Sequence, residues 1–203
     1  METPSMIVPP PRLAGRPRDR RGYPIPWNVL IGEDGTPFFT VNDDRRHWTA
    51  IRGGLCPMCG EALGRWKWFV GGPQSAFHEH GWFMDLPGHH DCIEYALQVC
   101  PYLAMPKWAG RIDVVHPEKL GKVTPAIFLD ETHDPARPDI FVAVAGARVM
   151  LNRRGPYLPY VRPAKPLLGI EYWRHGKKLT EEEGVRLVRA AMGDDWEPPE
   201  VSG

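Results

Sequence analysis

The sequence predicts a small α+β fold, and three observations support this prediction. All four cysteines lie between residues 56 and 100, at spacings that suit a metal ion. The 23 prolines and 21 glycines among 203 residues predict many turns and short elements rather than a helical bundle. Apolar runs of strand length are interspersed with two clear helical patterns, of which the second begins at Thr180. One compact domain, or one domain with a small appendage, is expected at this length.

The first cysteine pair lies in the sequence CPMCG, from Cys56 to Gly60. Sulfurs three positions apart in a tight turn, or knuckle, can both reach one tetrahedral Zn²⁺ at about 2.3 Å. Gly60 can adopt the positive φ that such a turn needs after its second cysteine. The pair therefore indicates half of a zinc site.

The second half is predicted at the start of a helix with the sequence HHDCIEYALQVC. His89 and Cys92 are three residues apart, so they project from one helix face. The predicted ligands of one structural zinc ion are Cys56, Cys59, His89 and Cys92. A knuckle, a hairpin and a helix in this order are typical of a treble-clef-like module, which we expect to span residues 23–106.

Cys100 is an alternative ligand that helix geometry disfavours. It follows Cys92 by eight residues, about 12 Å along a helix, which is too far for both sulfurs to bind one zinc ion. With Ile93, Ala96 and Leu97 it forms an apolar stripe, so a buried position is expected. Three other interpretations stay open: an iron–sulfur cluster that breaks this helix, a redox CxxC motif and four unrelated thiols.

Three stretches, LCPMCGEALG, FVGGP and GHHDCIEYALQVCPYL, resemble a group of uncharacterised bacterial and bacteriophage proteins. The resemblance covers residues 24–106 and implies a fold and a metal site, but no reaction. One difference is His78-Glu79-His80, where the group has an Asn-Arg pair. The matching positions are Cys56, Cys59, Gly72, Pro73, His89, Cys92, Cys100 and Pro101.

Short elements are predicted upstream of the knuckle. A hairpin is expected over residues 23–41, because two apolar runs flank a Glu-Asp-Gly turn. A helix capped by Asn42 or Asp43 should follow, with Trp48 and Ile51 on its buried face.

A second hairpin is predicted between the knuckle and the metal-binding helix. Two runs rich in strand-forming residues, Arg65–Val70 and Ala76–Met84, flank the turn Gly71-Gly72-Pro73. This hairpin would be the middle part of the treble clef.

The two chain ends are predicted to lie outside the core. Residues 1–22 contain three consecutive prolines and five arginines, so we expect a disordered basic arm that either aids solubility or contacts phosphate. Residues 194–203 are acidic and are expected to form a loose tail.

Residues 107–193 are predicted to form a strand-and-helix extension that begins with an irregular connection. Its helix should begin after Thr180, which with Glu183 forms a capping box. Val185, Val188 and Met192 mark its buried face. The predicted strands are Ala126–Leu129, Ile140–Ala145, Ala147–Leu151 and Ile170–Trp173.

The charge distribution is compatible with one local basic surface. The chain has 25 basic and 25 acidic residues, so it has no global basic field. Residues 148–178, however, contain eight cations and one acid, Glu171, with interleaved aromatic residues. Such a segment can bind phosphates and stack on bases; alternatively, its aromatics belong to the core and its charges form a solvated face. The candidate nucleic-acid-binding residues are Arg148, Arg153, Arg154, Tyr157, Arg162, Lys165, Arg174, Lys177 and Lys178.

The motifs favour a non-enzymatic binding module. The CxxC motif precedes any histidine–glutamate pair, unlike in zinc deaminases, and HExxH is absent. A metal-dependent HNH-like nuclease with His78 or His80 as general base is the main alternative. Nucleic acid is favoured as the partner, and a protein partner is the third option because the chain has eight tryptophans. No apolar run approaches 18 residues and no signal core is seen, so we expect a cytoplasmic protein without a membrane span.

Overall fold

The structure is a computed structural model, and it describes residues 7–105, 137–152 and 159–202. The described chain forms a mixed α+β fold with three small antiparallel sheets. The strands are β1 (Val29–Ile31), β2 (Pro37–Asn42), β3 (Lys67–Gly71), β4 (Phe141–Gly146), β5 (Val149–Asn152), β6 (Tyr160–Pro163), β7 (Gly169–Arg174) and β8 (Lys177–Lys178). The helices are α1 (Asp44–Gly53), α2 (Pro73–Phe77), α3 (His90–Val99), α4 (Pro101–Ala104) and α5 (Glu181–Met192), preceded by a short 3-10 helix at Pro11–Leu13.

The central sheet has the strand order β3-β4-β7-β8. All six residues of β4 are buried, as expected for a strand covered on both faces. Phe141 and Ala143 pack with Leu97 of α3 on one face. Val142 and Val144 pack with Val188 of α5 on the other. The sheet therefore separates two helix layers, because side chains alternate between its faces.

The capped helix predicted after Thr180 is confirmed as α5. The Thr180 hydroxyl accepts a hydrogen bond from the Glu183 backbone N–H, and the Glu183 carboxylate accepts one from the Thr180 backbone N–H. Gly184 lies inside this helix because a Cβ there would be 2.1 Å from Cγ of Tyr172. The close approach of α5 to β7 thus requires a residue that usually weakens helices.

Helix α1 also begins as predicted, with the Asp43 carboxylate accepting a hydrogen bond from the Arg46 backbone N–H. The expected buried face is only partly correct, although Ile51 does pack against the core. His47 and Ala50 are buried, whereas Trp48 and Ile51 are only partly covered. In a short amphipathic helix, tertiary packing decides which side chains face the core.

The hairpin predicted between the knuckle and α3 is not formed. Gly72 is the N-cap of α2 and Pro73 occupies its first turn, where proline is well tolerated. Residues 73–77 are therefore helical, and β3 pairs with the distant strand β4. β3 also bridges Gly88, immediately before the metal-binding helix.

Parts of both chain ends pack on the rest of the fold, which their composition did not predict. Leu13, in the predicted disordered arm, is completely buried. The ring of Trp196, in the predicted loose tail, packs on Phe77 at a centroid distance of 4.9 Å. Val201 bridges Leu167. A buried leucine anchors the N-terminal segment, and a partly buried tryptophan anchors the C-terminal one.

Some expectations concern residues outside the described ranges. They include the strand Ala126–Leu129 and most of the irregular connection. The strand expected at Ala147–Leu151 corresponds to β5, which pairs with β6.

No helix in the described ranges is both long enough and apolar enough to cross a lipid bilayer.

Burial of His47 predicts a specific pH dependence of stability. Its side chain is 1% exposed, and neither ring nitrogen has a hydrogen-bond partner among the described residues. Burial lowers its pKa from 6.5 to about 4. Between about pH 6.5 and pH 4, the His47 imidazole binds a proton in the unfolded chain but stays neutral in the folded chain. The free energy of unfolding should therefore fall by roughly 2 kcal/mol between about pH 7 and pH 5 on account of this residue.

Denaturant titrations of the native protein and of His47→Leu at both pH values measure this effect. Losses from all other groups are common to the two proteins, so the native protein should lose more stability than the variant. Equal losses in both proteins would show that the imidazole is not excluded from protonation.

Candidate metal centre

The predicted ligands come together in one buried cluster. Ligand atoms of Cys56, Cys59, His89 and Cys92 all lie within 4.8 Å of one another. Both Cys56 and Cys92 are completely buried, and the other two residues are 9% exposed. Four converging donors at this spacing can hold a single metal ion.

The cysteine knuckle is held by backbone hydrogen bonds and a tryptophan. The Gly60 N–H donates to the Cys56 carbonyl at 2.8 Å, and the Cys56 N–H donates to the Glu61 carbonyl at 2.8 Å. Gly60 has φ 85°, as its place after the second cysteine predicts. A Cβ at this position would also meet the Trp27 ring at 2.8 Å, so the knuckle packs tightly on the N-terminal part of the fold.

His89 is oriented for metal binding by a second hydrogen bond. It is the N-cap of α3, so Cys92 lies one turn into the same helix. Its Nδ1 is 3.4 Å from Sγ of Cys59, and its Nε2 is 3.0 Å from the carbonyl oxygen of Ala62. A proton on Nε2 donates to that carbonyl and leaves the Nδ1 lone pair facing the sulfurs. Metal-binding histidines are usually oriented by such a partner.

Neighbouring sulfurs and burial raise the pKa values of two thiols in this cluster, Cys56 and Cys59. Contact with Cys56, and then burial, raises the pKa of the Cys59 thiol. A hydrogen bond from Cys59 lowers the pKa of Cys56, but contact with Cys92 and burial outweigh it and raise that pKa to about 11. A bound cation would offset the repulsion and hold all three as thiolates at neutral pH. The donor set of three sulfurs and one imidazole nitrogen therefore fits a metal ion.

The N-terminal segment covers the cluster, which the sequence did not predict. Leu13 packs against the three cysteines and Tyr95. Arg12 contacts Glu61 beside the knuckle at 2.6 Å and Asp91 in the first turn of α3 at 3.3 Å. This arginine thereby links the two ligand-bearing elements. The only sequence signal was a leucine within an otherwise polar, proline-rich stretch.

Cys100 is not part of the cluster. It lies at the junction of α3 and α4, and its N–H donates to the Ala96 carbonyl at 2.9 Å. The residue is only partly covered, so the full burial expected from the apolar stripe is not reached.

The histidines of the nuclease alternative lie on an exposed turn. The rings of His78 and His80 are 5.7 Å apart, and the side chains of His80 and Glu79 are 73% and 80% exposed. In the described ranges, no second group of three or more histidine, cysteine or acidic side chains is close enough to hold another metal ion.

The basic segment is only partly available for a ligand. Tyr172 and Trp173 are 4% and 3% exposed, so these rings belong to the core and cannot stack on bases. Arg174 pairs with Asp139, and Lys178 pairs with Glu171, both at 2.7 Å.

The other basic candidates divide into three groups. The guanidinium of Arg162 lies 4.5 Å from the centroid of the Trp82 ring. Arg148, Lys165 and Lys177 are exposed and form no ion pair with a described residue. The remaining candidates lie outside the described ranges: Arg153, Arg154 and Tyr157.

Comparison of the chain with protein-family models, with curated proteins and with solved structures gives no significant match. Similarity to the bacterial and bacteriophage group therefore stays a prediction from the motifs. The function of the chain must follow from the chemistry of the site itself.

The cluster predicts that one metal ion binds per chain and that Cys100 is dispensable. Cys92→Ala removes one of four ligands and should abolish stoichiometric metal binding and destabilise the fold, because metal binding to such sites contributes on the order of 10 kcal/mol. The matched control Cys100→Ala should retain the metal and lose about 1–3 kcal/mol of stability at most. Elemental analysis of the purified proteins and thermal unfolding measure both effects. Full metal occupancy in Cys92→Ala would contradict the ligand assignment.

Proposed function

We propose that the chain is a non-enzymatic binding module that is held together by one structural zinc ion and whose ligand is nucleic acid. The observation that supports the structural role is the buried cluster of four protein ligands. Catalytic zinc sites keep a coordination position for water or substrate, whereas structural sites fill all four with protein atoms. When bound, the ion would supply cross-linking between the knuckle and α3.

The chemistry of the ligands favours zinc over other metals. Thiolates select soft or borderline ions, and three sulfurs with one imidazole suit tetrahedral Zn²⁺. An iron–sulfur cluster bound by all four cysteines would require Cys100 to move from the opposite end of α3. No such rearrangement is needed for one metal ion to bind the four clustered residues Cys56, Cys59, His89 and Cys92.

Support for a nucleic-acid ligand comes from the distribution of charge. Residues 62–78 and 140–170 contain seven lysines and arginines and no aspartate or glutamate. These two segments meet where β3 pairs with β4. Arg148 and Lys165 are exposed there, so local positive charge is available for phosphates in a neutral protein.

A titration at two salt concentrations tests the nucleic-acid proposal. The zinc-loaded protein should bind labelled oligonucleotides at about 50 mM salt, and log K should fall with log salt by about 0.7 per phosphate contacted on a single strand or 0.9 on duplex DNA. Undetectable binding at this salt concentration would contradict the proposal. A protein partner would then be favoured by the exposed apolar residues Met84, Met150 and Leu151.

A cleavage assay tests the non-enzymatic part separately. Incubation of the same oligonucleotides with protein and Mg²⁺ should leave them intact, and His78→Ala with His80→Ala should not change their binding, because these side chains lie on an exposed turn. Mg²⁺-dependent cleavage that disappears in this double variant, with zinc content unchanged, would instead establish the nuclease alternative.

A further inference from the structure

One end of the central sheet carries an exposed tryptophan that lies outside the basic segment of residues 148–178. Trp66 immediately precedes β3 and is 42% exposed. Its ring stacks beside that of Trp68, with centroids 6.4 Å apart and planes inclined by 28°. A large aromatic ring is thus held against the sheet while much of it contacts solvent.

A glycine in β7 lies against both tryptophan rings. A Cβ on Gly169 would lie 3.5 Å from Cζ3 of Trp66 and 3.1 Å from Cη2 of Trp68. Both indole rings therefore lie close to the β7 backbone. Because these contacts already support the Trp66 ring, a ligand that stacks on it loses little conformational entropy in ordering it.

Three exposed cations lie at the same end of the sheet as this ring. Lys67 pairs with Gly146, so Arg65, two residues before Lys67, and Arg148, two residues after Gly146, lie at the same end of the sheet. The Arg148 carbonyl accepts a hydrogen bond from the Ala164 N–H at 3.0 Å, which brings the neighbouring Lys165 to the same end of the sheet. We call Arg65, Trp66, Arg148 and Lys165 the Trp66 face.

The cations of the Trp66 face are available to a ligand. All three are exposed, and none forms an ion pair with a described residue. Lys67 differs, because its ammonium donates to the Gly64 and Ala147 carbonyls, each at 2.9 Å. Lys67 thus links the start of β3 to the end of β4. Arg65, Arg148 and Lys165 are the cations left to bind external anions.

No carboxylate from the same segments opposes these charges. The nearest acidic residue along β7 is Glu171, which accepts hydrogen bonds from Lys178 at 2.7 Å and from His90 at 2.8 Å. Its charge is thus already compensated. An exposed ring with unpaired cations at the same end of the sheet is complementary to a strand of bases and phosphates.

We propose that the Trp66 face binds single-stranded nucleic acid, with an unpaired base stacked on Trp66 and adjacent phosphates contacted by Arg65, Arg148 and Lys165. This inference rests on the proposed nucleic-acid function and locates its contact surface. A single strand fits better than a duplex, because paired bases in a duplex do not present a free face for stacking.

Trp66→Ala tests the stacking contact. In the zinc-loaded protein it should weaken binding of a labelled single-stranded oligothymidylate by about 5- to 150-fold, the range found for removal of one base–aromatic stack. Trp66→Phe, which keeps a smaller ring, should recover much of this decrease. Phe39→Ala is the matched control, because Phe39 is 47% exposed on the separate β1-β2 sheet, and its affinity should not change.

Arg65→Ala with Arg148→Ala tests the phosphate contacts. The slope of log K against log salt should decrease in magnitude by about 0.7 for each phosphate that the variant no longer neutralises. Arg45→Ala removes an exposed cation from α1 and should leave the slope unchanged. Trp66→Ala should also leave the slope unchanged, because stacking releases no counterions.

The outcomes separate this inference from the function on which it rests. Native protein that binds no oligonucleotide at about 50 mM salt overturns both. Native protein that binds while Trp66→Ala and the double arginine variant bind equally well overturns the Trp66 face alone. Stronger binding of duplex than of single strand, unaffected by Trp66→Ala, likewise shows that the phosphate-binding surface lies elsewhere. Zinc content and thermal unfolding of each variant confirm that its fold is intact.

Discussion

The convergence of three buried thiols and one imidazole is the constraint on which the N-terminal half of the molecule depends. Contact with Cys56 and burial raise the pKa of Cys59, and, despite an opposing hydrogen bond from Cys59, contact with Cys92 and burial raise the pKa of Cys56. A bound cation would lower these pKa values, because each thiolate would be attracted to the cation more strongly than it is repelled by its neighbours. The same four residues therefore join a tight turn to the start of a helix that is distant in sequence.

A segment with little tendency to fold on its own packs around this cluster. Leu13 closes the apolar side of the cysteines, and Arg12 links Glu61 with Asp91 across the two ligand-bearing elements. The exposed ion pairs are worth little individually. The buried leucine contributes more, because its whole side chain is removed from water. A proline- and arginine-rich stretch thus becomes part of the domain.

The central sheet connects the metal centre with the Trp66 face. β3 bridges Gly88, which immediately precedes the ligand His89, and the same strand starts beside Trp66. Trp68 lies between them and packs on His90 with ring centroids 4.5 Å apart. A metal ion bound by the knuckle and α3 would fix the start of α3, which lies next to β3 through the Gly88 bridge and the Trp68–His90 contact.

Features that depend on local spacing could be predicted from the sequence alone. The cysteine knuckle, the His89–Cys92 pair and the Thr180 capping box each involve groups within one turn of the chain, where geometry follows from residue spacing. Long-range packing decided the rest. Strand β3 pairs with β4 about 75 residues later instead of forming a local hairpin, and Leu13 and Trp196 anchor segments whose composition predicts disorder. Burial of Tyr172 and exposure of Trp66 were decided in the same way, because both are aromatic residues beside basic ones and only the assembled sheet determines which ring is covered.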